Sequence, residues 1–245
     1  VIAQGTYGEM HLRGYNAEMK EIWYRHIAED APGARGSHMS AIADFDGNSQ
    51  DLFFWGERAI EFSTGEERFC ADRDTWNSHT DIVQPVRDRQ SGEWYLFTAR
   101  EGGDDISPRV VLFDHNGKRV WHDIDVGHMD MGWVAWLKPE QGPTASAIRI
   151  GHKTCGPDGR FHTNIDEFAW DLLSGKPVNP GYSLYRTTPV DLNGDGYHEL
   201  VRGQASGNGE ILGPDGEVIH NMQAPVALAS KFMDHPGEQL LAYYP

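Results

Sequence analysis

Residues 191–199 read DLNGDGYHE, and this stretch decides how the rest of the chain is interpreted. Hard oxygen ligands stand at every second position: the side chains of Asp191, Asn193 and Asp195, then the backbone carbonyl of Tyr197. Gly196 follows Asp195, where a tight turn needs a residue without a Cβ. This spacing is typical of a calcium-binding loop.

The flanking sequence indicates strands on both sides of this loop. An EF-hand would close with a glutamate at its twelfth position, which is Arg202 here, so the loop is not an EF-hand. Glu199 could instead complete a shorter loop between residues 188–190 and 200–201, which are apolar or β-favouring and lack a helical period. The predicted Ca²⁺ ligands are Asp191, Asn193, Asp195, Tyr197 and Glu199. The alternative is an ordinary hairpin turn rich in Asp, Asn and Gly.

A related loop at residues 44–48, DFDGN, reveals an internal repeat. In both units the loop is followed by two short strand-like segments, a turn and a final strand. Two intervening segments keep this rhythm but have altered first loops. Four short strands per unit at this spacing predict an all-β fold, a β-propeller of four-stranded antiparallel blades. A β-sandwich would not explain the shared order of turns.

The repeat predicts a single propeller domain over residues 1–245, with four full and two partial blades. The full blades are expected at 37–76, 79–126, 128–181 and 185–222, and the partial ones at 1–28 and 226–245. The chain opens with Val1 inside strand-like sequence and stops two strands into a new unit. We therefore expect a fragment of a larger propeller, although the two partial ends could instead pair to close a ring.

Composition restricts the possible partners. The net charge of −16 argues against nucleic acid, which is bound through basic surfaces. An anionic polysaccharide also looks unfavourable, unless calcium or the outer strands take up many carboxylates, because the local field over the site decides. No apolar stretch is long enough to span a bilayer. The two cysteines, Cys70 and Cys155, are expected to be buried free thiols, with a single disulfide as the alternative.

Histidines recur at equivalent positions of successive units. His38 lies six residues before Asp44, His79 and His128 open the next two units, and Tyr185 takes the position of His38 in the fourth. In a propeller the loops that enter the innermost strands lie on one face, around the central axis. One histidine alone is more often structural, but this recurrence predicts a shared functional site.

Two cations extend this group. Arg149 and Lys153 flank Gly151 and His152 at the end of a predicted strand. Arg149 lies within the apolar run 147–150, where an arginine requires a partner or a function.

The chain resembles the β-propeller polysaccharide lyases, which include rhamnogalacturonan, ulvan and rhamnose–glucuronate lyases. The resemblance rests on the D-x-N-x-D-G loop at 191–196, the G-H-x-D element at 127–130, its weaker form S-H-T-D at 78–81, and the spacing of the blades. It covers most of the chain at the level of architecture and short motifs.

This resemblance implies cleavage of a uronic-acid-containing, rhamnose-rich polysaccharide by β-elimination. A base removes the C5 proton, a cation neutralises the carboxylate, and an acid protonates the departing O4. It implies His79 or His128 as the base, His38 or Tyr185 as the acid, and Arg149 with Lys153 as carboxylate-binding residues. Ca²⁺ would assist the reaction or stabilise the fold. A secreted or periplasmic location follows from the same resemblance, and we expect a monomer.

Two other classes fit parts of the pattern. Integrin-like propellers use similar loops and bind calcium only to stiffen blades of a binding module, but they predict such loops in most blades. Alternatively, His38, His79 and His128 could ligate a transition metal, with Asp81 and Asp130 as ligands or as residues that orient them. A glycoside hydrolase is less favoured, because no facing pair of carboxylates is recognisable.

Overall fold

The fold is all-β, as the sequence predicts. The computed structural model describes residues 1–103, 106–156, 159–203 and 209–243, without the side chains of 155–156 and 159–161. These ranges hold twenty strands in six antiparallel sheets and no helix. In each sheet, strands that follow one another along the chain pair directly. The described residues thus include no helix that is long and apolar enough to cross a membrane.

The chain divides into two compact units, Val1–Asp130 and Met131–Pro245. Three sheets lie in the first unit. The first sheet contains β1 (Ile2–Gln4), β2 (Met10–Tyr15) and β3 (Glu21–Ile27). The second contains β4 (Ala41–Ala43), β5 (Leu52–Trp55), β6 (Arg58–Glu61) and β7 (Glu67–Cys70). The third contains β8 (Thr80–Arg87), β9 (Trp94–Arg100), β10 (Val110–Asp114) and β11 (Arg119–Asp123).

The remaining three sheets belong to the second unit, apart from the first two residues of β12. The fourth sheet contains β12 (Met129–Ala135), β13 (Thr144–Gly156) and β14 (Gly159–Asp171). The fifth contains β15 (Thr187–Val190), β16 (Glu199–Arg202), β17 (Glu210–Leu212) and β18 (Val218–Asn221). The last pair is β19 (Val226–Ser230) with β20 (Gln239–Ala242).

The fourth sheet differs from the expected four-stranded unit. Three strands are present in its described residues, and the segment 176–178, expected as a fourth, makes only an isolated bridge between Trp170 and Pro177. Proline has no backbone N–H to donate to a strand ladder, and Pro180 follows closely. The pairing is therefore limited to two backbone bonds, from Asp171 N to the carbonyl of Lys176 and from Val178 N to the carbonyl of Ala169, both 2.9 Å long.

The apolar cores lie between successive sheets within each unit. In β5, Phe53 packs with the first sheet, whereas Phe54 packs with residues of the third. In β16, Leu200 packs with the fourth sheet and Val201 with Val226 of the last. Side chains alternate between the two faces of a strand, so a central strand covered on both faces reads as a continuous apolar run.

Candidate functional site

Two strand entries in the first unit lie side by side. The segments that lead into β4 and β8 are joined by a parallel bridge between Ser37 and Thr80. Thr80 N donates to the carbonyl of Gly36 at 3.2 Å. As a result, the rings of His38 and His79 meet edge to face, with centroids 5.4 Å apart.

The hairpin of β8 and β9 adds two carboxylates to these imidazoles. Thr80 pairs with Arg100, so Glu101, the residue after β9, lies beside His79. Glu101 Oε2 is 2.8 Å from His79 Nε2 and 3.6 Å from His38 Nε2. Asp81 Oδ1 is 3.7 Å from His38 Nε2 and 3.9 Å from His79 Nε2. His128 approaches from the start of β12, with Nδ1 3.7 Å from Glu101 Oε1.

His38, His79, Asp81 and Glu101 lie close enough together to share one metal ion, and we name this group the central cluster. One ligand atom from each lies within 4.8 Å of all the others. His79 is buried, whereas His38 keeps about half of its side-chain surface exposed, so the cluster opens to solvent on one side. Imidazole together with carboxylate suits divalent transition metals, and the two carboxylate charges match a dication. The residues present therefore fit a divalent cation.

Tyr7 borders the central cluster from the loop between β1 and β2. Its hydroxyl lies 3.3 Å from His38 Nε2, and its ring meets the ring of His79 at 4.6 Å. Partial desolvation of the hydroxyl, followed by the negative charges of Glu101 and Asp81, raises the pKa of Tyr7, although the residue as a whole is 69% exposed. Tyr7 is therefore a neutral phenol that can donate a proton at ordinary pH.

The structure thus brings together His38, His79 and His128, three of the residues singled out in the sequence, around a carboxylate that sequence reasoning missed. The signal for Glu101 was available, because a hairpin places the residue after its second strand beside the residue before its first. Tyr7 lies in a loop of the three-stranded first sheet, where the repeat gave no equivalent position.

The other predicted catalytic residues lie in the second unit. Tyr185 OH is 2.7 Å from Nδ1 of His162, a residue to which the sequence gave no role. Lys153 is the cross-strand partner of His162, which places it next to this pair. Arg149 bonds Asp166 of β14 through Nη2 at 2.7 Å and Nε at 3.0 Å.

The predicted calcium loop is folded around its own acidic side chains. Asp191 accepts bonds from the backbone N–H groups of Gly194 and Gly196, at 2.7 and 2.9 Å. Asp195 accepts from Tyr197 N at 2.7 Å, and Glu199 accepts from Leu192 N at 3.3 Å. These bonds form a tight Asx-rich turn, the arrangement common to hairpin turns and calcium loops.

Comparison with known proteins identifies relatives among the rhamnogalacturonan lyases. No family model matches the chain. A curated relative, rhamnogalacturonan exolyase YesX of Bacillus subtilis strain 168, is 22% identical in an alignment 206 residues long that covers 72% of this chain and 34% of the relative. The chain thus spans about a third of the length of that protein.

Solved structures of rhamnogalacturonan lyases share the fold over 98% of the chain. Lyase YesW matches with a TM-score of 0.66 at 15% identity, and exotype lyase YesX with 0.65 at 19%. The Bacillus licheniformis rhamnogalacturonan lyase PL11 matches with 0.66 at 17%. The chain covers 40–41% of these structures. It therefore shares its fold with rhamnogalacturonan lyases, and the resemblance indicated by the sequence is confirmed.

Proposed function

We propose that this chain carries part of the active site of a polysaccharide lyase, which cleaves a uronic-acid-containing, rhamnose-rich polysaccharide by β-elimination. Its sheets would be blades of a β-propeller. The observation that carries the proposal is the central cluster, placed in a chain that shares its fold with rhamnogalacturonan lyases. Meander sheets in chain order, with cores between neighbours, support the propeller arrangement.

The central cluster would act on the acidic part of the substrate. A divalent cation held by His38, His79, Asp81 and Glu101 would supply the positive charge that makes the C5 proton of a uronate acidic. Glu101 Oε2 lies 2.8 Å from His79 Nε2 and fixes this imidazole in place, which suits His79 to holding the cation. His128 is 44% exposed and is the better placed imidazole to take a proton from a substrate in solvent. Tyr7 could donate to the departing oxygen as a neutral phenol.

The second unit supplies the remaining proposed groups. Arg149 and Lys153, both on β13, would bind substrate carboxylates, and Tyr185 is the alternative acid. Arg149 would exchange its exposed partner Asp166 for such a carboxylate, since a guanidinium binds either in the same planar geometry. Calcium in the 191–199 loop would stabilise the fold. A secreted or periplasmic monomer belongs to the same proposal.

A non-catalytic, calcium-stiffened binding propeller is the second candidate. The 191–199 loop favours this candidate, because backbone N–H groups already orient the carboxylate oxygens of the loop. A binding propeller would need no histidines beside Glu101. The two candidates therefore differ in the role of the central cluster, which is catalytic only in the lyase.

The test follows unsaturated uronate products by absorbance at 235 nm. The full-length protein is assayed with rhamnogalacturonan and other uronic-acid polysaccharides, with and without EDTA. We expect activity that EDTA abolishes and that His128→Gln lowers about 10²–10⁴-fold, the usual contribution of a general base. His122→Gln, at an exposed position of β11, is the matched control. No product from any polymer, together with a melting temperature that EDTA lowers, would favour the binding propeller.

A further inference from the structure

The outer face of the β2–β3 hairpin carries a second group of metal-ligating side chains. His11 and His26 are direct cross-strand partners, and Arg13 and Tyr24 form the next pair on the same face. Glu9 lies two residues before His11 and therefore on the same side of the strand. The sequence gave His26 no role, because only the strand register brings it to His11.

Both imidazoles direct the same nitrogen at one carboxylate oxygen. Glu9 Oε1 is 2.9 Å from His11 Nε2 and 3.0 Å from His26 Nε2. The two rings are stacked, with centroids 5.0 Å apart and planes at 19°. The three ligand atoms lie within 4.8 Å of one another, close enough to share one ion.

Neighbouring residues hold His11 in the orientation that a metal ligand needs. Tyr24 OH lies 2.7 Å from Nδ1 of His11, which leaves Nε2 directed at the shared point. A histidine that binds a metal through one nitrogen almost always donates its other ring N–H to a partner, and a tyrosine hydroxyl can accept it. Tyr24 is in turn covered by the Arg13 guanidinium at 4.3 Å, which Glu21 fixes at 2.6 Å.

We propose that Glu9, His11 and His26 bind a divalent transition-metal ion of the zinc class. Two imidazoles and one carboxylate are the ligands that such ions accept, whereas Ca²⁺ and Mg²⁺ prefer oxygen ligands alone. Three protein ligands leave a coordination position for water on the exposed side. The ion would join β2, β3 and the residue that precedes β2. This site is separate from the central cluster and does not depend on the proposed lyase function.

The test measures local protection rather than total metal, because the central cluster would bind zinc as well. The protein is stripped with a chelator, loaded with Zn²⁺ and followed by hydrogen–deuterium exchange. We expect slower exchange in peptides covering residues 9–27. His26→Gln should abolish this protection while leaving zinc-dependent protection of residues 76–84 unchanged. Equal protection of residues 9–27 in wild type and His26→Gln, or none in wild type, would overturn the proposal.

A second variant distinguishes loss of zinc binding from disruption of the β2–β3 hairpin itself. Tyr24→Phe keeps the ring but removes the hydroxyl that orients His11. The zinc concentration for half-maximal protection of residues 9–27 should rise about tenfold or more, as expected for loss of such a supporting contact. An unchanged midpoint would contradict the proposed orientation of His11 and, with it, the site. Exchange of both apo variants should match that of the apo wild type.

Discussion

At the scale of single residues, Glu101 organises the central cluster. One of its oxygens faces His79 and His38, and the other faces His128. The side chain is only 17% exposed, so its charge is weakly screened and acts strongly on the three imidazoles. Sequence reasoning predicted the histidines from their recurrence but not Glu101, because a residue type that occurs once in the pattern gives no repeat signal.

Replacing Glu101 with glutamine tests this role. Glutamine keeps the size of the side chain but removes the charge, so we expect loss of the divalent ion proposed for the cluster and at least a hundredfold loss of the proposed lyase activity. Metal content and the 235 nm assay on the full-length protein measure both effects. Glu93→Gln, at an exposed position of the β9 hairpin, should change neither. Full metal content with full activity in Glu101→Gln would contradict the role of the cluster.

Cys70 offers a prediction about a residue that is not part of any site. Burial raises the pKa of its thiol to about 11, and it is a free cysteine in the described part of the chain. The thiolate is the reactive form, so at pH 8 Cys70 should react with a disulfide reagent at least tenfold more slowly in the folded protein than in urea. Cys155→Ser removes the other thiol. Equal rates in both states would contradict the burial of Cys70.

The sign of the linked stability effect follows from the same pKa. An unfolded thiol begins to ionise near pH 9, but the folded thiol keeps its proton until about pH 11. The contribution of Cys70 to stability is therefore complete below about pH 9 and is lost as the pH rises towards 11. Urea unfolding from pH 8 to 10.5 measures this loss. Over that range the free energy of unfolding should decline less in Cys70→Ala than in wild type.

At the scale of elements, a buried ion group fixes the end of β9 next to the cluster. Arg100 and Glu57 are fully buried, and Arg100 bonds both oxygens of Glu57, at 2.7 and 2.6 Å. Asp72 accepts a further bond at 2.6 Å. Burial lowers the pKa of Arg100, but Glu57 and Asp72 raise it overall, so the arginine stays charged. Glu101 directly follows this anchored residue.

Removing one partner from this ion group should lower the stability of the fold. Glu57→Gln leaves the buried guanidinium of Arg100 incompletely compensated, and we expect the free energy of unfolding to fall by about 3–5 kcal/mol. Urea unfolding of the folded chain measures this loss. Glu66→Gln, an exposed change of the same chemistry, should stay within about 0.5 kcal/mol of wild type. Equal stability of the two variants would mean that the ion group does not support β9.

A glycine in β2 makes a separate prediction about packing between sheets. A Cβ at Gly14 would stand 2.2 Å from Nε1 of Trp23, its cross-strand partner. Trp23 donates that N–H to the carbonyl of Phe62 at 3.0 Å, which links the first sheet to the second. Gly14→Ala should therefore destabilise the protein by about 1–3 kcal/mol through overpacking, measured by urea unfolding. Gly8→Ala, with its nearest neighbour at 3.9 Å, should cost much less.

The strands were largely predictable because their sequence carries the evidence locally. Runs such as residues 94–97, 110–113 and 210–212 are apolar and β-favouring, and turns bound them on both sides. The failure at residues 176–178 has an equally local cause in Pro177. By contrast, the clusters depend on register: His11 meets His26 through a pairing that no local pattern specifies, and Glu101 lies beside His79 only because the ends of the β8–β9 hairpin are aligned.

At the scale of the whole molecule, cation binding would offset part of the net negative charge. The net charge of −16 repels an anionic substrate and strains the folded state. Each divalent ion bound by the central cluster, by the Glu9–His11–His26 site or by the 191–199 loop would offset two negative charges. We therefore expect that the binding of an anionic polysaccharide weakens when these cations are removed.

The 191–199 loop allows a test of calcium that does not involve activity. Asp191 N donates to Oε2 of Glu238 at 2.9 Å, and Glu238 N donates to the carbonyl of Asp191 at 2.6 Å, so the loop is joined to the segment that leads into β20. Calcium bound here would hold the fifth sheet and the last strand pair together. At a free concentration one hundred times the Kd, binding would add about 2.7 kcal/mol to stability. The melting temperature should rise accordingly when calcium replaces EDTA.

Asp195→Asn distinguishes the stabilising effect of bound calcium from that of the hydrogen bonds within the turn. Asparagine can still accept the bond from Tyr197 N, so the variant should melt like wild type in EDTA, whereas the lost carboxylate should remove most of the calcium-dependent rise. Asp234→Asn makes the same charge change at an exposed position of the second unit and should keep the full rise. A rise of equal size in Asp195→Asn would mean that calcium binds elsewhere and that residues 191–199 form an ordinary hairpin turn, held by Asx bonds alone.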